Sequence, residues 1–213
     1  MIRSMRIPMI ALTSLVLAGC GGSLLHAPES QTRYDLGMPE ANLQQPQIVP
    51  WRVEVDAPSW LSSSAMQYRL AYVNVDARDA FSQSRWVAHP SEMLERYLGV
   101  ALSNDAVDVS WCRLSLDLDE FVQTFETADR SHAQMTLRAS LRAPRRGGTV
   151  ARQTFQQQVA APSPDAKGGV SAYREALRGL TSELTEWLDS IAQDSELAAK
   201  CEPGDRRELF GRR

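Results

Sequence analysis

The chain has 213 residues, with 23 lysines and arginines, 26 aspartates and glutamates, and a formal net charge of −3. This balance argues against the strongly basic surface by which proteins bind nucleic acid. Hydrophobic residues make up 43% and charged residues 23% of the chain, which is the composition of a globular domain rather than of a disordered or collagen-like one. The length is sufficient for one domain with a hydrophobic core.

The first nineteen residues have the features of a secretory signal peptide. A basic start with Arg3 and Arg6 precedes an apolar stretch, residues 7–18, which is shorter than the about twenty residues of a membrane-spanning helix. The stretch ends in LAGC at residues 17–20, which resembles the lipobox of bacterial lipoproteins, where the thiol receives a diacylglycerol before cleavage. We therefore expect cleavage after residue 19 and lipidation of Cys20. The alternative is an ordinary signal peptide with a cysteine near its cleavage point.

The predicted lipid places the protein in the envelope of a Gram-negative bacterium, facing the periplasm. Several acyl chains on Cys20 would hold it on a membrane, since a single chain is only a marginal anchor. Gly21 stands where lipoproteins retained in the inner membrane usually carry aspartate, so the enterobacterial sorting rule favours the outer membrane. Residues 20–45 are rich in Gly, Ser, Pro and polar side chains without a period, and we expect them to form a flexible tether.

Regular hydrophobic patterns occupy residues 46–193, which we expect to form one domain. Alternating apolar residues predict short strands at about 51–56 and 68–72. Three longer strands between residues 107 and 159, joined by short turns, predict an antiparallel meander. The apolar parity of the first of them changes near residues 119–120, which predicts a β-bulge.

Two helices complete the predicted domain. The first begins at Pro90 and ends at Ser103, and its apolar residues Leu94 and Leu98 share one face. The second runs from about Ser171 to Ile191, with an apolar stripe wide enough to cover a sheet. The predicted fold class is therefore α+β, with two layers in which an antiparallel sheet carries both helices on one face. Residues 194–213 are predicted to form a polar C-terminal tail.

After lipidation of Cys20, two cysteines remain in an oxidising compartment, Cys112 and Cys201. A disulfide between them would close a loop of about ninety residues and stabilise the fold by roughly 4 kcal/mol. Because Cys112 shares strand parity with Leu114 and Leu116, a buried free thiol is an equally good interpretation. The sequence leaves both open.

The motifs of common catalytic and cofactor sites are missing from the sequence. It contains no G-x-x-x-x-G-K-[ST], no G-x-S-x-G and no H-E-x-x-H, and its histidines are His26, His89 and His132. The carboxylates Asp117 and Asp119 have the parity of a solvated strand face, which is the preferred interpretation over a catalytic pair. We therefore predict no catalytic residues, no metal site and no cofactor, with a periplasmic hydrolase of unfamiliar type as a remote alternative.

Three motifs occur in an ordered series in residues 66–98 and 112–141. They are a Tyr-Arg-Leu strand at residues 68–70, Arg85-Trp86 followed by a proline-started helix, and Phe-x-Gln-x-Phe at residues 121–125. In order and spacing, the mature domain resembles the ABC-type transport auxiliary lipoprotein component family.

The resemblance implies a non-enzymatic accessory subunit of an ABC transporter of the mammalian-cell-entry (MCE) type, which moves lipids between the inner and outer membranes. The MCE-domain protein, the permease and the ATPase would be separate chains, in agreement with the missing P-loop. We expect Arg85 and Trp86 at the partner interface, since both residue types are enriched at binding hot spots. The alternative is structural, with Trp86 packed under the following helix and Arg85 paired with an acid.

A function of a different class is a freestanding envelope-assembly lipoprotein of the outer membrane, with no transporter. Neighbouring genes for an MCE protein, a permease and an ATPase would separate the two.

Overall fold

The protein is described by a computed structural model over residues 30–40, 43–144 and 148–202. All of these except Ser30 belong to one compact unit, Gln31–Arg213. The predicted signal peptide, Cys20, most of the turn predicted at residues 145–148 and the end of the predicted tail lie outside the described residues. Among the helices of the described part, none is both long and apolar enough to cross a membrane.

The described residues form one sheet of seven strands with three α-helices, and a single 3-10 turn, Ser59–Leu61, follows the second strand. In chain order the strands and helices are β1 (Thr32–Tyr34), β2 (Arg52–Asp56), β3 (Ala65–Leu70), β4 (Asp79–Trp86), α1 (Pro90–Ala101), β5 (Arg113–Thr127), β6 (Arg130–Arg142), β7 (Thr149–Ala160), α2 (Ala166–Gln193) and α3 (Ser195–Ala199).

The meander β5–β6–β7 forms one side of the sheet, with β7 as its last strand, and its prediction is confirmed. Both of its pairings are antiparallel, with Leu116 opposite Ala139 and Ala139 opposite Gln153. The register of β5 on β6 shifts between Leu118 and Glu120, which is the predicted bulge. The extra residue allows apolar side chains on both sides of the bulge to face the same core despite their change of parity.

The remaining strands make the sheet mixed, which confirms the α+β class but corrects the expectation of a purely antiparallel sheet. The edge of β5 opposite β6 pairs in parallel with β2 along its first half and with β3 near its end. β4 is antiparallel to β3, and β1 is parallel to β4. Alternation shows which side chains share a face, but it carries no information on the direction of the neighbouring strand.

Both long helices pack into one core on the same face of the sheet. Leu114, Leu116 and Leu118 of β5 are fully buried and belong to the same cluster as the buried residues of α1 and α2. α1 has the predicted start, with proline at its first turn and Glu92 near its N-terminus, where the helix dipole favours an anion. α2 begins five residues earlier than predicted, because Asp165 caps it.

Parts of the predicted tether and tail belong to the domain, so the predicted domain limits of 46 and 193 are too narrow. Thr32–Tyr34 pairs with β4, and Leu36 is buried in the core. At the other end, α3 follows α2 and Cys201 is buried. A strand of three residues has no measurable period, and a buried cysteine near the chain end has no pattern around it, so neither is visible in the hydrophobic periodicity.

One edge of the sheet is occupied by a side chain. In the described part of the chain, no strand pairs with the side of β2 that faces away from β5. There the carboxylate of Glu95, from α1, accepts a hydrogen bond from the backbone N–H of Val55 at 3.1 Å. Helix α1 therefore covers this edge both sterically and by a charge-assisted hydrogen bond.

Candidate functional site

The residue pair predicted at the partner interface, Arg85 and Trp86, divides between surface and core. Trp86 is 2% exposed, and its ring centroid lies 5.6 Å from that of Phe121 and 5.6 Å from that of Tyr173. Burial also raises the pKa of the Tyr173 phenol well above its usual value. A fully packed indole cannot contact a partner, so the interface expectation for Trp86 is replaced by the structural alternative, with α2 as the helix above it.

Arg85 is half-buried, and its Nε donates a hydrogen bond to Oε1 of Gln31 at 3.0 Å. Among the described residues its side-chain partner is therefore an amide, where the structural alternative expected an acid. The contact fastens the residue preceding β1 to β4.

A different surface has the character of a binding site. At the start of β5, the exposed tryptophans Trp51 and Trp111 flank a cleft of about 480 Å³, which Val109, Ser110 and Pro144 also line. More than half of each of Trp51, Trp111 and Val109 is exposed. We call this surface the aromatic cleft.

The two walls of the aromatic cleft are joined through backbone hydrogen bonds. The N–H of Trp51 donates to the carbonyl of Cys112 at 3.0 Å, and the N–H of Ser110 donates to the carbonyl of Val49 at 2.8 Å. Val49 and Val109 form an isolated parallel bridge that extends the β2–β5 pairing. Backbone hydrogen bonds thus continue from the sheet to the residues that carry the two tryptophans, which restrains their backbone before a partner arrives.

The disulfide Cys112–Cys201 fastens the end of the domain to the same cleft. Its two Cα atoms are 4.8 Å apart, and the N–H of Trp111 donates to the carbonyl of Cys201 at 2.9 Å. Cys112 has the inward parity that the sequence indicates, and its sulfur is bonded rather than free. The covalent link therefore restrains the residue next to one of the exposed tryptophans.

The aromatic cleft is suited to binding rather than to acid–base chemistry. The described residues that line it include no titratable side chain. The hydroxyl oxygen of Ser110 is buried and finds no hydrogen-bond partner within the described residues. Tryptophan is among the residue types most enriched at binding hot spots, so the cleft fits an apolar or aromatic group.

The carboxylates of β5 are engaged in ion pairs. Asp119 accepts two hydrogen bonds from the guanidinium of Arg138 on β6, at 2.6 and 2.9 Å. Glu120, at the bulge, contacts Arg69 at 3.4 Å and Arg78 at 2.7 Å. Among the described residues, no three acids, histidines or cysteines are grouped closely enough to hold a metal ion. These carboxylates therefore connect strands.

One feature of the sequence indicates the aromatic cleft, although the predicted strands do not account for it. Val107, Val109 and Trp111 have odd parity, whereas the buried residues from Cys112 onward have even parity. Since the two sets cannot both face one core without a bulge, the odd set is left outside. Trp51 gives no such signal, because it alternates with Val53 and Val55 as a buried residue would.

The fold is that of a single α+β domain with one mixed sheet and both long helices on one face. The chain belongs to the family described as ABC-type transport auxiliary lipoprotein component, which it matches over residues 34–185. The resemblance inferred from the sequence motifs is thereby confirmed. Members of this family are lipoproteins of the bacterial cell envelope that assist ABC-type transport.

Two solved structures share the fold. A protein from Xanthomonas campestris, of the DUF330 family, is 23% identical in sequence; the match covers 78% of this chain and 99% of that one, with a TM-score of 0.63. The crystal structure of an uncharacterized protein is 11% identical, with 75% and 99% of the two chains covered and a TM-score of 0.58. No curated protein sequence matches the chain.

Proposed function

We propose that the protein is a non-enzymatic accessory subunit of an MCE-type ABC transporter that moves lipids between the inner and outer membranes. The family match supports a role in ABC-type transport. The observation that carries the proposal is the aromatic cleft, a pre-organised apolar surface with two exposed tryptophans and no titratable side chain among the described residues that line it. In this role the cleft docks onto the MCE-domain protein, while the permease and ATPase are further chains.

The proposal includes a lipid anchor on Cys20 in the outer membrane, with the domain facing the periplasm. Replacing the thiol in Cys20→Ser removes the acceptor of the lipid, so the variant should be found uncleaved or in the soluble fraction, whereas the parent fractionates with membranes. Gly21→Asp is the matched control: it keeps the lipid and, under the enterobacterial sorting rule, should move the protein to the inner membrane. Equal membrane retention of Cys20→Ser would contradict the anchor.

The docking surface is tested by tryptophan substitutions with a matched control. Trp111→Ala and Trp51→Ala should each lower co-purification of the MCE-domain protein about tenfold or more, since truncating a hot-spot tryptophan costs about 2 kcal/mol or more. Trp60 is also exposed but does not line the cleft, so Trp60→Ala should leave co-purification unchanged. Equal behaviour of the three variants would contradict docking through this cleft.

Photo-crosslinking in intact cells identifies the partner itself. A crosslinking amino acid at Val109, in the cleft, should capture an MCE-domain protein, and one at Val100, exposed on α1, should not. Capture of outer-membrane assembly factors alone, without an MCE protein, would replace the transport proposal with the freestanding envelope-assembly function.

A further inference from the structure

The connection between β3 and β4 carries apolar side chains at its tip. Tyr72, Val73 and Val75 are 49%, 68% and 61% exposed. The turn is well formed: the N–H groups of Val73 and Asn74 both donate to the carbonyl of Leu70 at 2.9 Å, and the side-chain oxygen of Asn74 accepts from the N–H of Asp76. Exposed turns are usually polar, so three large apolar residues at one tip require an explanation.

The N-terminal end of β1 points toward this tip. β1 is parallel to β4, with Thr32 beside Ser84, and β4 begins at Asp79 directly after the turn. The residue before β1, Gln31, donates from its side chain to the carbonyl of Ser82 at 3.0 Å, which continues the same direction. Gln31 therefore lies on the side of β1 that is nearer to the end of the sheet with the apolar tip.

The length of the chain between Cys20 and Gln31 matches the distance to the tip. Gln31 is eleven residues from Cys20. The composition predicts an unstructured chain, which would span about 18 Å on average and about 38 Å at full extension. From Ser82 to the start of β4 at Asp79 is about 10 Å, to which the turn adds a few ångströms. A bilayer that holds the lipid of Cys20 is thus within the average reach of the tether when the tip faces it.

The opposite orientation would bring the aromatic cleft to the bilayer. The tip lies at the end of β5, where the N–H of Ala71 donates to the carbonyl of Phe125, and the cleft lies at its start. β5 has fifteen residues, so about 45 Å separates the two ends. The tether would have to run back along the sheet close to its full extension, which greatly reduces its conformational freedom.

We propose that the tip formed by Tyr72, Val73 and Val75 inserts into the headgroup region of the bilayer that carries the anchor, with the cleft held away from it. The inference rests on the lipid anchor of the proposed function. Tyrosine suits the boundary between water and acyl chains, and the valines bury apolar surface there. The neighbouring charges of Asp76, Arg78 and Asp79 form no basic cluster, so the contact is apolar and should not depend on salt.

Because the anchor already holds the protein on the membrane, a small apolar tip is sufficient to orient the domain. Once the lipid is in the membrane, insertion of the tip is an intramolecular step at millimolar effective concentration. A contact too weak to recruit the domain from solution therefore still orients it.

The test uses the full acylated lipoprotein in vesicles of phosphatidylethanolamine and phosphatidylglycerol with brominated acyl chains. An environment-sensitive fluorescent amino acid is placed at Val73 or, as the matched control, at Val109 of the cleft, which is similarly exposed. The expected result is at least twofold quenching at position 73, unchanged in 0.5 M salt, and no quenching at position 109.

Each other outcome overturns the orientation and identifies the step that failed. Flotation with the vesicles is measured first, because a protein that does not float lacks the anchor, and the proposal then fails together with the lipidated form of the function. Flotation without quenching at position 73 contradicts the membrane contact alone and leaves the proposed anchor intact. Quenching at position 109, with or without position 73, contradicts the separation of the cleft from the bilayer.

Discussion

Removing the disulfide should destabilise the domain by about 4.5 kcal/mol. Cys112 and Cys201 are 89 residues apart in the chain. On the loop-entropy estimate, closing a loop of 15 residues contributes about 3 kcal/mol and one of 100 residues about 4.7 kcal/mol, so this bridge lies near the upper value. Domains of this size have a total stability of about 5–15 kcal/mol, so the loss would be a large part of the whole.

The measurement is urea unfolding of the double variant Cys112→Ala/Cys201→Ala, followed by far-ultraviolet circular dichroism. With a denaturant slope of about 2 kcal/mol per molar urea, the midpoint should fall by about 2 M relative to the oxidised parent. The parent in a strong reductant should move by a similar amount. The double variant is the control for the reductant, since it has no bridge and its midpoint should not change.

The same variant tests the link between the bridge and the cleft. The backbone of Trp111 is hydrogen-bonded to Cys201, so loss of the bridge should weaken binding of the proposed MCE-domain partner at urea concentrations far below unfolding. An unchanged midpoint in the double variant would refute the loop-entropy argument, and free thiols in the purified parent would refute the bridge itself.

Three further predictions concern the helices. Gly168→Ala should destabilise the domain by about 1–3 kcal/mol, because the added Cβ would lie 2.1 Å from a backbone carbonyl oxygen. Gly99→Ala is the control: its Cβ would have nothing within 4 Å, so this variant should stabilise the domain by about 0.5–1 kcal/mol. The midpoints of urea unfolding compare the two variants. Leu180→Asp should cost several kcal/mol by placing an unpaired charge in the core, and a midpoint equal to that of the parent would mean that α2 is not docked on the sheet. The hydrogen bond from the N–H of Gly168 lowers the pKa of Asp165, so the ionised carboxylate should stabilise the domain above its unfolded-state pKa of about 4, and this contribution should be lost as the pH falls through the lower folded-state pKa. Asp165→Ala removes the cap and should cost about 1 kcal/mol at neutral pH, whereas Asp165→Asn keeps the cap without the pH dependence. Equal acid-unfolding profiles of the parent and the Asn variant would contradict the prediction.

The core of the fold was predictable because its pattern is strict. Apolar and polar residues alternate from Cys112 to Leu118 and, in β6, from Ala133 to Leu141, and the parity change at residues 119–120 leaves a bulge as the simplest explanation. β4 carries no such pattern. Its residues Asp79–Trp86 are mostly exposed or half-buried, with serines and a glutamine where a core strand would carry apolar residues, so periodicity does not detect it.

The candidate site was less predictable than the fold, for a reason that the tryptophans illustrate. Side-chain type alone does not distinguish Trp86, which fills the core, from Trp111, which lies on the surface. Their exposure depends on which distant elements lie beside them, such as Phe121 and Tyr173 against Trp86, and these contacts leave no mark in the local sequence. In the sequence, only the odd parity of the apolar residues between 107 and 111 indicates side chains that face outward.

The hydrogen bond from the N–H of Val55 to the carboxylate of Glu95 opposes edge-to-edge pairing when copies of the protein lie close together. A lipid anchor confines many copies of a protein to a plane, where free strand edges meet far more often than in solution. To add a strand beside β2, an incoming chain would have to separate the Glu95 carboxylate from the N–H that it occupies and displace α1 from the sheet. At β2, pairing between neighbours held by the proposed anchor on Cys20 is therefore opposed by the intact fold, and local opening of α1 would be the event that exposes this edge.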